Sequence, residues 1–98
     1  MMIENKRIVK RTKSFKREYK KAKKQKKDIP LLIKIIKMLA NDEPLPEKHL
    51  DHALVGNWKG YRECHITADW LLVYRKDEEY GQLFLTLTRL ANHNVLRF

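Results

Sequence analysis

Hydrophobic positions recur at helical spacing in the first half of the chain and at strand spacing in the second. Ile8 and Val9, within Arg7 to Arg11, predict a short first strand. Phe15, Tyr19 and Ala22 share one stripe of a helix that runs to about Lys27, with Thr12 or Ser14 as its cap. Asp28 caps a second helix, Pro30 sits in its first turn, and Leu32, Ile35, Ile36 and Leu39 form its apolar stripe. That helix ends near Ala40, because Asn41, Pro44 and Pro46 follow. From Asn41 to Gly60 the prolines and glycines predict a loop.

Three strands come next. Tyr61 to Ile66 alternates, with Arg62, Cys64 and Ile66 on one face and Tyr61, Glu63 and His65 on the other. Thr67 to Asp69 is a turn, Trp70 to Arg75 is rich in aromatic and branched residues, and Asp77 to Gly81 is a second turn. Leu83 to Leu90 is the last strand, with Leu83, Leu85 and Leu87 facing one way. Connections this short favour an antiparallel meander. The expected fold is α+β: a small twisted antiparallel sheet with two N-terminal helices packed on one face.

Composition narrows the picture. Ninety-eight residues suit one domain spanning 1–98. No apolar run approaches the ~20 residues of a membrane span, and no secretory signal is evident. A single cysteine, Cys64, gives no internal disulfide, so the cytoplasm is the expected address. The formal charge is +10, and it is lopsided: Met1 to Lys37 holds 15 Lys/Arg against three acids. Such a basic half points to an anionic partner, nucleic acid ahead of membrane, unless it is only a solvated face.

The candidate chemistry is acid–base. His52, His65, Asp69 and His93 converge if the last strand lies beside the preceding one, and histidine trades protons near neutral pH. His49, beside His52, has no evident partner and reads as inert. No His-x-x-x-His or Glu-x-x-His spacing declares a metal site, so neither metal nor cofactor is expected. Ser14 is the only serine and lies in the basic helix, Cys64 faces away from His65, and glycine-rich phosphate loops are absent. RNA supplies its own nucleophile, the 2′-hydroxyl, and needs only a base, an acid and charge stabilisation at phosphorus. Lys59, Arg62 and Arg89 suit the phosphate, while Trp70, Tyr61 and Phe98 could stack bases or pack in the core.

The chain resembles bacterial toxins of the RelE superfamily, in particular the YafQ group of ribosome-dependent mRNA interferases. The resemblance rests on Pro44-Leu45-Pro46, Asp51-His52-Ala53-Leu54, Gly56 to Arg62, Cys64-His65, Asp69 to Tyr74, and Arg89 four residues before His93. It implies a cytoplasmic endoribonuclease that cuts mRNA in the ribosomal A site and is restrained by a cognate antitoxin. With that antitoxin it would also reach operator DNA. The family's functional positions fall on His52, His65, Asp69, His93 and Phe98. Two departures stand out: Ala91-Asn92 precede His93 where relatives usually have Gly-Ser/Thr, and the closing phenylalanine comes one residue late.

On this resemblance Asp69 or His65 accepts the 2′-hydroxyl proton and His93 protonates the leaving oxygen. Arg62, Arg89 and His52 steady the phosphate. Lys13, Lys16, Lys20, Lys23, Lys24 and Lys27 would grip ribosomal RNA through its phosphates. Two alternatives stay open: a basic RNA- or DNA-binding module without turnover, and an inactive toxin homologue that acts with its antitoxin as a repressor.

Overall fold

The computed structural model describes residues 5–96. Strand β1 (Ile8–Arg11) leads into helices α1 (Lys13–Lys24) and α2 (Ile29–Ala40); strands β2 (His52–Ala53), β3 (Arg62–Thr67), β4 (Trp70–Glu79) and β5 (Gln82–Ala91) follow, then the short helix α3 (His93–Leu96). Both expected caps form. The Thr12 hydroxyl accepts from the Phe15 N–H at 3.0 Å, and Asp28 accepts from the Leu31 N–H at 3.1 Å. The Thr12 hydroxyl also donates to the Thr88 carbonyl at 2.7 Å, which pins the start of α1 to β5.

The five strands run in the order β1-β5-β4-β3-β2. Strands β3, β4 and β5 form the expected antiparallel meander, and β2 adds an antiparallel edge. The sheet is nonetheless mixed, because β1 pairs with β5 in parallel. Parallel neighbours need a long crossover, and here α1, α2, β3 and β4 all lie between the two partners. The β4–β5 turn is tight. Tyr80 and Gly81 both have positive φ, +50° and +79°, as a two-residue turn matched to strand twist requires.

Helices α1 and α2 cover one face of the sheet. Phe15, Ala22, Leu32, Ile35 and Leu39 meet Cys64, Ile66, Trp70, Leu72, Tyr74, Leu85, Leu87 and Leu90 there. Leu85 and Leu87 alternate as expected, but Leu90 reaches the same face across an odd interval. A register shift between Val73 and Tyr74 leaves Thr88 without a partner in β4 and makes this possible. Each buried leucine contributes roughly 1.5–3 kcal/mol, so this layer holds the sheet rigid. Among the described residues the opposite face carries a small cluster, Leu71, Val73 and Leu96, flanked by Leu54, Trp58, Tyr61 and Ala91. One end of that sparsely covered face is where the polar chemistry collects.

Candidate active site

Strand alternation sends Glu63 and His65 of β3 to the face away from the helices, while Cys64 between them is fully buried. His52 stands in β2 directly opposite Glu63 in register. Asp69 closes the turn between β3 and β4, and His93 follows β5, whose Ala91 pairs with Leu71. Four segments therefore deliver side chains to one end of the sheet. The His65 and His93 rings lie 5.4 Å apart between centroids.

Hydrogen bonds fix how each imidazole presents itself. The His52 Nδ1 faces the Leu50 carbonyl at 2.6 Å, and the His65 Nδ1 faces the Ala68 carbonyl at 3.3 Å. A carbonyl only accepts, so both Nδ1 atoms carry the hydrogen and leave Nε2 for chemistry. Both Nε2 atoms point at Glu63: His52 at 3.6 Å and His65 at 3.9 Å from Oε1. Glu63 is buried, and among the described residues its Oε2 has no hydrogen-bond partner. An orphaned buried oxygen costs about 1–3 kcal/mol and persists at sites where function maintains it.

His93 is held from the other side. Its Nδ1 donates to Asp69 Oδ1 at 3.0 Å, and its backbone N–H approaches the same oxygen at 3.5 Å. The imidazole hydrogen bond, then the backbone one, hold the Asp69 carboxyl below the usual carboxylate range. Asp69 thus stays ionised and orients His93, leaving Nε2 as that ring's free nitrogen.

Several expected residues sit differently. Trp70 is 3% exposed and packs in the helix-side core, with its remaining surface lining the cleft beside α1. Tyr61 packs edge-on against Trp58 at 5.3 Å, with the Arg75 guanidinium above it. Arg62 is tied to Asp51 and to the Tyr74 hydroxyl, both at 3.3 Å, so it braces the residue that leads into β2 as well as facing solvent. Arg89 makes a two-pronged ion pair with Glu18 of α1, at 2.9 and 3.0 Å. Lys59 is exposed on the loop leading into β3, and Phe98 lies outside the described residues. Burial, then the charges of Asp51 and Glu63, push the Cys64 thiol far up, which removes it as a nucleophile.

Two residues escaped sequence reasoning. Glu63 shares the face of His65 by simple alternation, but its pairing with His52 runs through a two-residue strand inside an apparent loop. His49, read as inert, is buried and holds the His65 carbonyl at 2.6 Å, so it braces the strand that carries His65.

The same cluster can hold a metal ion. One ligand atom each from Glu63, His65 and His93 lies within 4.8 Å of the others. Helical spacing motifs miss such a set, because two of its members share a strand face and the third arrives from beyond β5.

A basic helix and an apolar one over a mixed sheet, with histidines and carboxylates gathered at one end of the sparsely covered face, define a small α+β protein with a polar cluster suited to acid–base chemistry. Residues 7–97 match the family described as bacterial toxin of type II toxin-antitoxin system, YafQ, and the chain belongs to that family. It is 35% identical over 83 residues to the mRNA interferase toxin YafQ of Escherichia coli K12, covering 84% of this chain and 86% of that one. The crystal structure of the E. coli DinJ-YafQ toxin-antitoxin complex superimposes with a TM-score of 0.83 at 32% identity, covering 95% of this chain and 99% of that one. A metal-bound toxin from Helicobacter pylori gives a TM-score of 0.81 at 38% identity, covering 90% of this chain and 96% of that one.

Proposed function

We propose that the whole chain acts as one toxin domain, a cytoplasmic endoribonuclease that cuts mRNA in the ribosomal A site by metal-free acid–base chemistry. The observation that carries this reading is the facing of His65 and His93, 5.4 Å apart, each with Nδ1 committed to a hydrogen bond. Two facing imidazoles, each with Nδ1 committed and Nε2 left for proton exchange, suit the two proton transfers of transesterification. His65 Nε2 takes the proton of the 2′-hydroxyl, whose oxygen attacks phosphorus as the bond to the 5′-oxygen breaks. His93, protonated and steadied by Asp69, gives its proton to that leaving oxygen. The products are a 2′,3′-cyclic phosphate and a 5′-hydroxyl.

Glu63 receives the charge that appears on His65, and His52 offers a second nitrogen to the same carboxylate. The exposed Lys59 supplies positive charge for the phosphate, and Arg62, held by Asp51 and Tyr74 on the face of Cys64, adds to the field from behind the strand. Arg89 contributes little net charge, since Glu18 neutralises it. Lys13, Lys16, Lys20, Lys23 and Lys24 of α1 attach the protein to ribosomal RNA.

A cognate antitoxin is the expected protein partner, by likeness to the E. coli toxin-antitoxin complex, and operator DNA would be reached through it. Among the described residues no helix is long and apolar enough to cross a membrane. Incubating translating ribosomes with the purified protein and mapping mRNA ends tests the proposal. New ends within A-site codons support it; retention on RNA without new ends supports a plain binding module.

Metal occupancy is the second reading, favoured by the Glu63, His65 and His93 grouping. An ion there would occupy nitrogens that proton transfer needs, so the two uses compete.

A further inference from the structure

A basic cleft of about 520 Å³ opens between α1 and the end of β5, next to the catalytic edge. Arg17, Lys21 and Gln25 line one wall, at four-residue steps along a single stripe of the helix. Lys27 joins them from the link to α2, and the facing wall runs through Arg89 and Asn92. Asn92 directly precedes His93, and Lys27 lies near enough to Asp69 to favour its charge, so the cleft leads onto the acid–base residues.

The charges within the cleft are unbalanced. Glu18 is the acid that lines it, and both its oxygens are taken by Arg89, one also accepting from the Leu90 N–H at 3.1 Å. Arg17, Lys21 and Lys27 are exposed, and among the described residues no ion pair engages them. Lys13, Lys16, Lys20, Lys23 and Lys24 do not line this cleft, whereas Arg17 and Lys21 do. A concavity of several hundred Å³ suits one nucleotide, and Arg17 and Lys21, with Lys27 shared toward Asp69, suit its phosphate.

We infer that this cleft seats an mRNA nucleotide flanking the one that is cut, with Arg17, Lys21 and Lys27 on its phosphate. The inference rests on the nuclease reading of the adjoining edge. A strand whose scissile phosphate lies between His65 and His93 and that runs on past Asn92 meets the cleft as the adjoining cationic surface.

The test uses the full chain carrying His93→Ala, so that bound RNA stays intact. A fluorescent single-stranded RNA hexamer is titrated over a salt series with two further double variants, Arg17→Ala/Lys21→Ala and Lys16→Ala/Lys20→Ala. All four positions are exposed, so both variants should fold as the parent does. The cleft pair is expected to weaken binding at least tenfold at low salt and to flatten the slope of log K against log salt by about 1.4, at about 0.7 per lost contact. The outward pair should change the hexamer slope by less than half as much, yet reduce co-sedimentation with ribosomes more. Equal slopes for the two pairs overturn the assignment. So does a cleft pair that loses ribosomes but keeps the hexamer, which would place ribosomal RNA there. Retained hexamer binding with lost binding of a poly-glutamate peptide overturns it in favour of an acidic protein segment. Wild-type protein that leaves ribosome-bound mRNA uncut sinks the nuclease reading itself. Cutting with coincident slopes sinks only the cleft.

Discussion

Glu63→Gln separates catalysis from stability at the centre of the site. The glutamate lies 3.9 Å from the His65 Nε2, and its side chain is 6% exposed against 14% for His65. At an effective dielectric of about 20, the attraction between a His65 imidazolium and the carboxylate at that separation is about 4 kcal/mol. Water reaching the rim lowers this toward about 2 kcal/mol, so losing the charge should slow cleavage roughly 30- to 1,000-fold. Stability should move the other way. The substitution removes a buried charge with an unpaired Oε2, and the new amide can donate to either imidazole nitrogen. A gain of about 1 kcal/mol raises Tm by roughly 4–8 °C in a domain of this size. Single-turnover cleavage of ribosome-bound mRNA and a thermal melt on the same preparation measure both. Full activity in Glu63→Gln would refute the role given to this carboxylate. A lower Tm with a proportionate activity loss would make Glu63 a structural residue.

Other substitutions and conditions probe the remaining contacts. His93→Ala should abolish cleavage and growth arrest without lowering Tm, because the ring is exposed; undiminished arrest removes it from the mechanism. His49→Ala should cost about 1–3 kcal/mol in urea unfolding, since it orphans the His65 carbonyl in a buried setting; an unchanged midpoint would show that the bond braces nothing. Micromolar copper or zinc should inhibit cleavage reversibly, with a chelator restoring it and His65→Ala weakening the metal's binding; unaltered affinity in that variant places the ion elsewhere. Asp42 answers to acid. Hydrogen bonds from Arg7 and then Lys76 lower its carboxyl from 3.8 to about 2, so its stabilisation is complete above the unfolded value and fades as pH falls through the folded one. The stability gap between wild type and Asp42→Asn should therefore close between about pH 4 and pH 2, as urea midpoints at each pH will show.

What the sequence made legible was local. The Thr12 and Asp28 caps, the stripes of both helices and the β3 alternation that parts His65 from Cys64 all depend on residues a few positions apart. What it hid was non-local. Glu18 and Arg89 are 71 residues apart, and nothing near Arg89 betrays that its charge is already matched. The parallel pairing of β1 with β5 has no short-range signature either. Glu63 went unnoticed because its meaning depends on His52, which sits in a stretch whose prolines and glycines mask a two-residue strand. Trp70 shows the reverse difficulty. Its aromatic ring suited either base stacking or core packing, and the strand's own alternation turns it under the helices. The basic helix was plain from composition, but division of its cations between an outer face and a cleft needed the packing of α1 on β5.

An RNA with a single 2′-deoxy substitution at the cut nucleotide tests most directly whether the substrate supplies the nucleophile. Placed in the A site and treated with chelator present, the all-ribose message should break to leave a 2′,3′-cyclic phosphate and a 5′-hydroxyl. The substituted message should remain whole at that position. Cleavage of the deoxy message, or activity that vanishes with the chelator, would contradict proton transfer between His65, His93 and the 2′-hydroxyl as the source of the reaction.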